Sequence, residues 1–181
     1  MSQHEVQPVG SALESREQQR AAYLEGERGN PLTTSPKGGR ILSAMQMPFF
    51  QVLPPSGIAV LTTTGRKTGR KRRKCVRAIR RGNKVFVVSL RGRYGAWHMN
   101  LVASPCVELR MRGGRFRGIA REIRDPAEHA AAREAYCDTV TRFDRLEYLN
   151  HRKGWPTPEQ IRALHTRWFS VGAPVVVDLE V

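Results

Sequence analysis

Acidic residues are scarce in this 181-residue chain: 16 Asp and Glu face 31 Lys and Arg, a formal charge of +15. A field of that size draws polyanions. Nucleic acid, anionic lipid headgroups and a phosphate-bearing cofactor all answer to it, and long-range steering alone does not separate them. Arginine enrichment also follows genomic base composition, so the bare charge decides little. Aromatic residues make up only 7% and fall mostly where core or helix packing uses them, whereas single-strand binding needs exposed stacking rings. Nucleic acid is therefore disfavoured. Apolar runs such as Val85 to Val88 and Val175 to Val177 fall far short of the roughly 20 residues of a membrane-spanning helix. The N-terminus shows no apolar core flanked by basic residues and a small-residue cleavage site, so a cytoplasmic location is expected.

Cysteine is equally sparse. Cys75, Cys106 and Cys137 are isolated, with neither a Cys-x-x-Cys pair nor a histidine at metal-ligand spacing, and read as reduced packing residues. His98 and His129 read as solvated or singly hydrogen-bonded, and no metal is expected. No paired carboxylates and no Ser-His-Asp arrangement stand out, so no residue is assigned a catalytic role.

The length suits one domain with a real core. Residues 1–39 carry few large apolar side chains and end in Asn30-Pro31-Leu32-Thr33-Thr34-Ser35-Pro36-Lys37-Gly38-Gly39, which reads as a flexible tail. Ala12 to Glu25 has a thin helical stripe within it. From Arg40 to Val52, Ile41, Leu42, Met45, Phe49 and Phe50 approach helical spacing and predict a short entry helix limited by Pro48. Ile58 to Thr64 predicts a strand. Lys74 to Arg80 and Val85 to Leu90 form a hairpin around Gly82-Asn83, and the second arm, apolar on both faces, is expected to be covered twice. Val107, Leu109 and Met111 alternate with charged residues before Gly113-Gly114 turns into Arg115 to Ile123.

Asp125, Pro126 and Glu128 mark a helix start with a capping box, expected to run to about Phe143. A less regular segment through Tyr148 and Trp155, a helix from Pro158 to Trp168 capped by Thr157, and a strand from Val175 to Val181 complete the order. Antiparallel strands, helices and a returning strand point to an α+β, barrel-like sheet.

Two stretches carry chemistry. Leu-Thr-Thr-Thr-Gly-Arg-Lys-Thr-Gly-Arg-Lys-Arg-Arg, Leu61 to Arg73, is a β-branched strand entering a cationic turn bracketed by Gly65 and Gly69. Arg66, Lys67 and Thr68 offer a guanidinium fork, an ammonium, a hydroxyl and backbone N–H groups over a short arc, which suits a phosphate or a carboxylate cluster. Ser89 to Leu101 leaves a strand, crosses a glycine loop and starts a helix. Thr-Thr-Gly-Arg-Lys-Thr-Gly, an arginine three residues on, a strand-end serine and Trp-x-x-Asn-Leu together resemble the deazaflavin-dependent nitroreductase family over roughly Ile58 to Ile123.

The resemblance implies a split β-barrel of the FMN-binding type, spanning residues 40–181, that binds coenzyme F420 in preference to FMN. It places Arg66, Lys67, Thr68, Gly69 and Arg72 on the cofactor's phosphate and acidic tail. Cys75 and Val76 stand where a Pro-Leu pair lines the deazaflavin ring, Ser89 and Leu90 add contacts from the next strand, and Trp97 and Asn100 close the site. It implies hydride transfer from reduced deazaflavin to a quinone, enone or nitro compound. Cys75 replaces the usual proline, Ala96 precedes the tryptophan where proline is common, and the loop after Ser89 is shortened. A non-catalytic basic module for nucleic acid or anionic membrane, an F420 carrier, peripheral membrane contact and a homodimer stay open at this level.

Overall fold

The computed structural model describes residues 35–180, together with Glu17, Gln18 and Ala21. Apart from Glu17, Gln18 and Ala21, Ala12 to Glu25 and most of the expected tail lie outside the described residues. Six strands, β1 (Ile58–Thr64), β2 (Lys71–Arg81), β3 (Lys84–Ser89), β4 (Cys106–Met111), β5 (Gly114–Glu122) and β6 (Ala173–Leu179), close a barrel in the order β1-β2-β3-β6-β5-β4. Every neighbouring pair is antiparallel. Closure leaves no unpaired edge. Around the barrel stand the α-helices α1 (Pro36–Val52), α2 (Ala96–Ala103), α3 (Pro126–Asp138), α4 (Arg142–His151) and α5 (Pro158–Val171), with a short 3-10 turn over Gly92–Tyr94. The α+β barrel expected from the residue pattern is the observed architecture.

Period-two alternation sorts the side chains into separate cores. Ala59, Leu61, Val76, Ala78, Val85, Val87, Val107, Leu109, Val175 and Val177 fill the barrel. On its outside, Ile79, Phe86, Val88 and Val176 meet Ala132, Tyr136, Ile161, Leu164, Trp168 and Phe169 of α3 and α5. β3 contributes to both, as its two apolar faces require. A smaller cluster joins Phe50 of α1 to Ile58 and Val60, with Met47, Cys75 and Phe143 packed against it.

Five expectations need correction. α1 begins at Pro36, four residues before Arg40, because Ser35 caps it by accepting from the Gly38 N–H at 2.9 Å. α3 stops at Asp138 instead of continuing to Phe143, and the segment through Tyr148 is helical as α4. The cause is tertiary: buried Arg77 on β2 donates to the carbonyls of Thr139 at 2.6 Å and Tyr136 at 3.3 Å and pairs with buried Asp144, whose other oxygen accepts from the Thr141 N–H at 2.5 Å. One guanidinium thus satisfies the end of α3 and fixes the start of α4. Asp125 caps α3, accepting from the Glu128 N–H at 2.7 Å, but the Glu128 carboxylate turns away to Arg121 and Lys84, so the box is half formed. His98 is buried, not solvated, with Nε2 3.5 Å from a Glu122 oxygen, whereas His129 is exposed and stacks edge-on to Phe169.

Of the cysteines, Cys137 is buried and Cys75 half-buried, but Cys106 is exposed and packs little. Among the described residues one trio, Asp144, Glu147 and His165, lies close enough to share a metal. The Arg77 guanidinium already pairs with Asp144 there. No helix among the described residues is long and apolar enough to cross a membrane.

Candidate cofactor site

The loop from β1 to β2 is built by short-range bonds. Gly65 N–H donates to Arg70 O at 2.9 Å, while Thr68 and Gly69 N–H groups return to Gly65 O at 3.1 and 2.7 Å. Gly69 has φ +65° and open space where a Cβ would stand, so the turn needs glycine for its backbone alone. Arg66, Lys67, Thr68, Gly69, Arg70, Lys71 and Arg72 are all exposed. Seven of the ten residues from Gly65 to Lys74 are Lys or Arg and none is acidic. Among the described residues, Arg66, Lys67, Arg70, Lys71 and Arg72 form no ion pair with a carboxylate.

One side chain ties this loop to the second motif. Asn100 of α2, buried, accepts at Oδ1 from the Arg66 backbone N–H at 3.2 Å and from Arg66 Nη1 at 3.4 Å, and donates from Nδ2 to Thr63 Oγ1 at 3.2 Å. The arginine of the first motif and the asparagine of the second therefore meet across 34 positions of chain. Trp97, three residues earlier on the helix, is half-buried and packs on the barrel core.

Strand register extends the site inward. Thr63, Leu61 and Ala59 pair with Arg72, Lys74 and Val76, so these three β2 residues share one face, running from exposed rim through half-buried ammonium to buried core. Burial holds the Lys74 ammonium below its ordinary pKa, and the Arg91 guanidinium pushes the same way. Lys74, Arg91 and Thr63 were not singled out as site residues in the sequence; the i, i+2, i+4 spacing of Arg72, Lys74 and Val76 could have found the first.

Other expected residues are placed differently. Cys75 faces the opposite side of β2 and packs near Phe50 and Val60, because adjacent strand residues point to opposite faces. It does not join Val76. Leu90 packs against the helical layer outside the barrel. The buried Ser89 hydroxyl makes no hydrogen bond, and a Cβ on Gly95 would stand 2.4 Å from it, so the pair permits close approach of the turn that launches α2.

A separate depression of about 440 Å³ is lined by Glu108, Arg115, Phe116, Arg117 and Glu180. It shares no residue with the loop and mixes charges of both signs. The donor set that suits a polyanion is the open ledge of Arg66, Lys67, Arg70 and Arg72, with a hydroxyl and a fixed backbone turn beside it.

The family described as F420H(2)-dependent quinone reductase matches residues 40–148, more than half of the chain. This chain belongs to that family. An F420H2-dependent reductase is accordingly an oxidoreductase that uses coenzyme F420 and reduces a small organic molecule. The ledge suits the acidic handle of such a cofactor, which needs cations. Among solved structures, the chain is similar to an F420-H2 dependent reductase (FDR-A) at 19% identity and TM-score 0.43, over 69% of this chain and 95% of that one. It is also similar to a heme binding protein from Mycobacterium smegmatis at 14% identity and TM-score 0.46, over 72% and 50% respectively.

Proposed function

We propose that this F420-dependent reductase holds the phosphate and acidic tail of its cofactor on Arg66, Lys67, Thr68, Gly69 and Arg72, and passes the hydride to a quinone, with enones and nitro compounds as further acceptors. The observation that carries the reading is Asn100, which anchors the cationic loop by its backbone at Arg66 and sits on the same short helix as Trp97. An anchored loop presents its charges without first ordering itself, which lowers the entropic cost of binding. Reduced deazaflavin supplies the hydride when bound. The protein's work is position: the loop holds the anionic end, Val76 and Trp97 bound the apolar bed, and Lys74 keeps a positive group beside it. Ser89 and Gly95 set the turn that aims α2, while Cys75 and Leu90 support from behind. The quinone reading draws on the family description; the nitro and enone readings rest on the motif resemblance.

The test is a titration of the purified protein with F420 and, separately, FMN, followed by turnover of reduced F420 with a quinone panel. Saturable binding of F420 in preference to FMN, weakened about tenfold or more by Arg66→Ala and by Lys67→Ala, is the expected result. Equal affinity for FMN, or retention on DNA with no F420 uptake, would overturn it.

A further inference from the structure

α2 lies against both β1 and β5, with Leu101 in the barrel core and Trp97 packed on it. A helix of eight residues is marginal by itself, so its placement depends on what its side chains touch. Asn100 supplies one fixed contact, to Thr63 and Arg66 on the β1 side. His98 supplies another. It is 1% exposed, and its Nε2 lies 3.5 Å from Glu122 Oε1, an oxygen that is also 3.1 Å from Arg93 Nε.

Strand alternation explains the partner. Glu122 follows Ala120 by two residues on β5, as Thr63 follows Leu61 on β1, and Ala120 and Leu61 both belong to the barrel core. Glu122 and Thr63 therefore share the inward face of the wall, each at the last turn of its strand beside α2. Neither nitrogen of the His98 ring closes a full hydrogen bond among the described residues; the Glu122 carboxylate and the Arg93 backbone approach it. Burial holds the imidazole below its ordinary pKa although Glu122 pulls it up, so the ring is neutral at physiological pH. The Nε2–H tautomer is the one that aims a donor at Glu122. An apolar side chain would fill the same space without taking two polar nitrogens out of water. The ring thus marks a contact and not a filler.

We infer that His98, held by Glu122, is a positioning residue for the cofactor site: it fixes α2 on the β5 side as Asn100 fixes it on the β1 side, and so sets where Trp97 stands. Trp97 is the next residue of the same helix, its ring 6.1 Å from that of His98. Any turn of the helix that takes His98 from Glu122 swings the indole with it. The inference rests on the reading that Trp97 and Asn100 belong to the cofactor site, and adds to it a pair that acts through α2.

The test uses the full chain carrying fluorine-labelled tryptophan, with the Trp97 resonance assigned by Trp97→Phe, and an F420 titration of each variant. His98→Leu fills the space without a donor, and His98→Gln keeps an N–H near the place of Nε2. Glu122→Ala removes the acceptor from a partly exposed position, so it decides the matter should His98→Leu fail to fold. Arg93→Ala, at an exposed side chain, is the control for lost charge at the rim. In the ligand-free protein, His98→Leu and Glu122→Ala are expected to shift or broaden the Trp97 resonance, while His98→Gln and Arg93→Ala leave it in place. The F420 dissociation constant should rise about tenfold in the first two and stay within about threefold in the others. An unmoved Trp97 resonance, or wild-type affinity in Glu122→Ala, makes His98 a packing residue and overturns the inference alone. Wild type that takes up no F420 refutes the underlying cofactor reading and brings the inference down with it, so the two failures are told apart.

Discussion

Replacing Asn100 with alanine removes one acceptor and one donor from the junction between the cationic loop and α2. The lost bonds are those from the Arg66 N–H at 3.2 Å, from Arg66 Nη1 at 3.4 Å and to Thr63 Oγ1 at 3.2 Å. The middle one is long and counts for little. The other two are worth about 1 kcal/mol each, and Thr63, itself buried, loses its donor in a dry site, so the expected loss of stability is about 2–3 kcal/mol. A domain of this size has roughly 5–15 kcal/mol to lose, so the variant stays folded. The larger consequence concerns the loop, which must now be ordered by the cofactor, and affinity for F420 is expected to fall about tenfold to a hundredfold. Thr63→Val is the control, since it removes the threonine partner and leaves both Arg66 contacts in place. It should cost about 1 kcal/mol of stability and leave the F420 dissociation constant within about twofold. Urea melts and fluorescence titrations read the two quantities separately. If Asn100→Ala loses stability yet binds F420 like wild type, Asn100 is only a structural pin and the anchored-ledge reasoning fails.

Arg77→Met leaves the buried Asp144 carboxylate without its counter-charge and should cost about 3–5 kcal/mol in urea unfolding, with part of it recovered when Asp144→Asn is added. A loss below about 1 kcal/mol would show that the pair does not fix the α3–α4 corner. Hydrogen bonds from Arg121 and Lys84 pull the Glu128 carboxyl from an ordinary 4.5 down to about 2. The folded value is the lower one, so this ion-pair network adds stability above pH 4.5 that drains away as pH falls toward about 2. Glu128→Gln should therefore cost about 1 kcal/mol at neutral pH, a modest figure because Arg121 is partly solvated, and flatten the acid limb of a pH–melting curve. Iodoacetamide at mild alkaline pH should label exposed Cys106 first, while Cys75, whose thiol burial pushes up to about 11, reacts far more slowly. Mass spectrometry of a time course decides it, and faster labelling of Cys75 would contradict its packing against the α1 cluster.

Local signals carried most of the fold. β1 was legible to its end residues because a β-branched run is bounded by glycines on both sides, and the caps at Asp125 and Thr157 announced their helices. The break between α3 and α4 was not legible, since its cause sits on a strand some 60 residues earlier in the chain, in the donors of Arg77. The meeting of Arg66 with Asn100 was implied by the two motifs, but the pairing of Lys74 with Leu61 depends on strand order, which spacing does not reveal. Placing Cys75 beside Val76 on one ring was a different failure: the period of two already assigned them to opposite faces. For α1, periodicity marked apolar residues but could not tell which of them a neighbour would cover.

β3 has Val85 and Val87 in the barrel and Phe86 and Val88 beneath the helices, all nearly inaccessible. The strand is a party wall between two rooms. Neither the sheet nor the helical layer can loosen there without admitting water to the other, so its amides should exchange with solvent only through global opening. A fragment ending before α3 would lose β6 along with the helical layer, leaving both sides of that wall open to water.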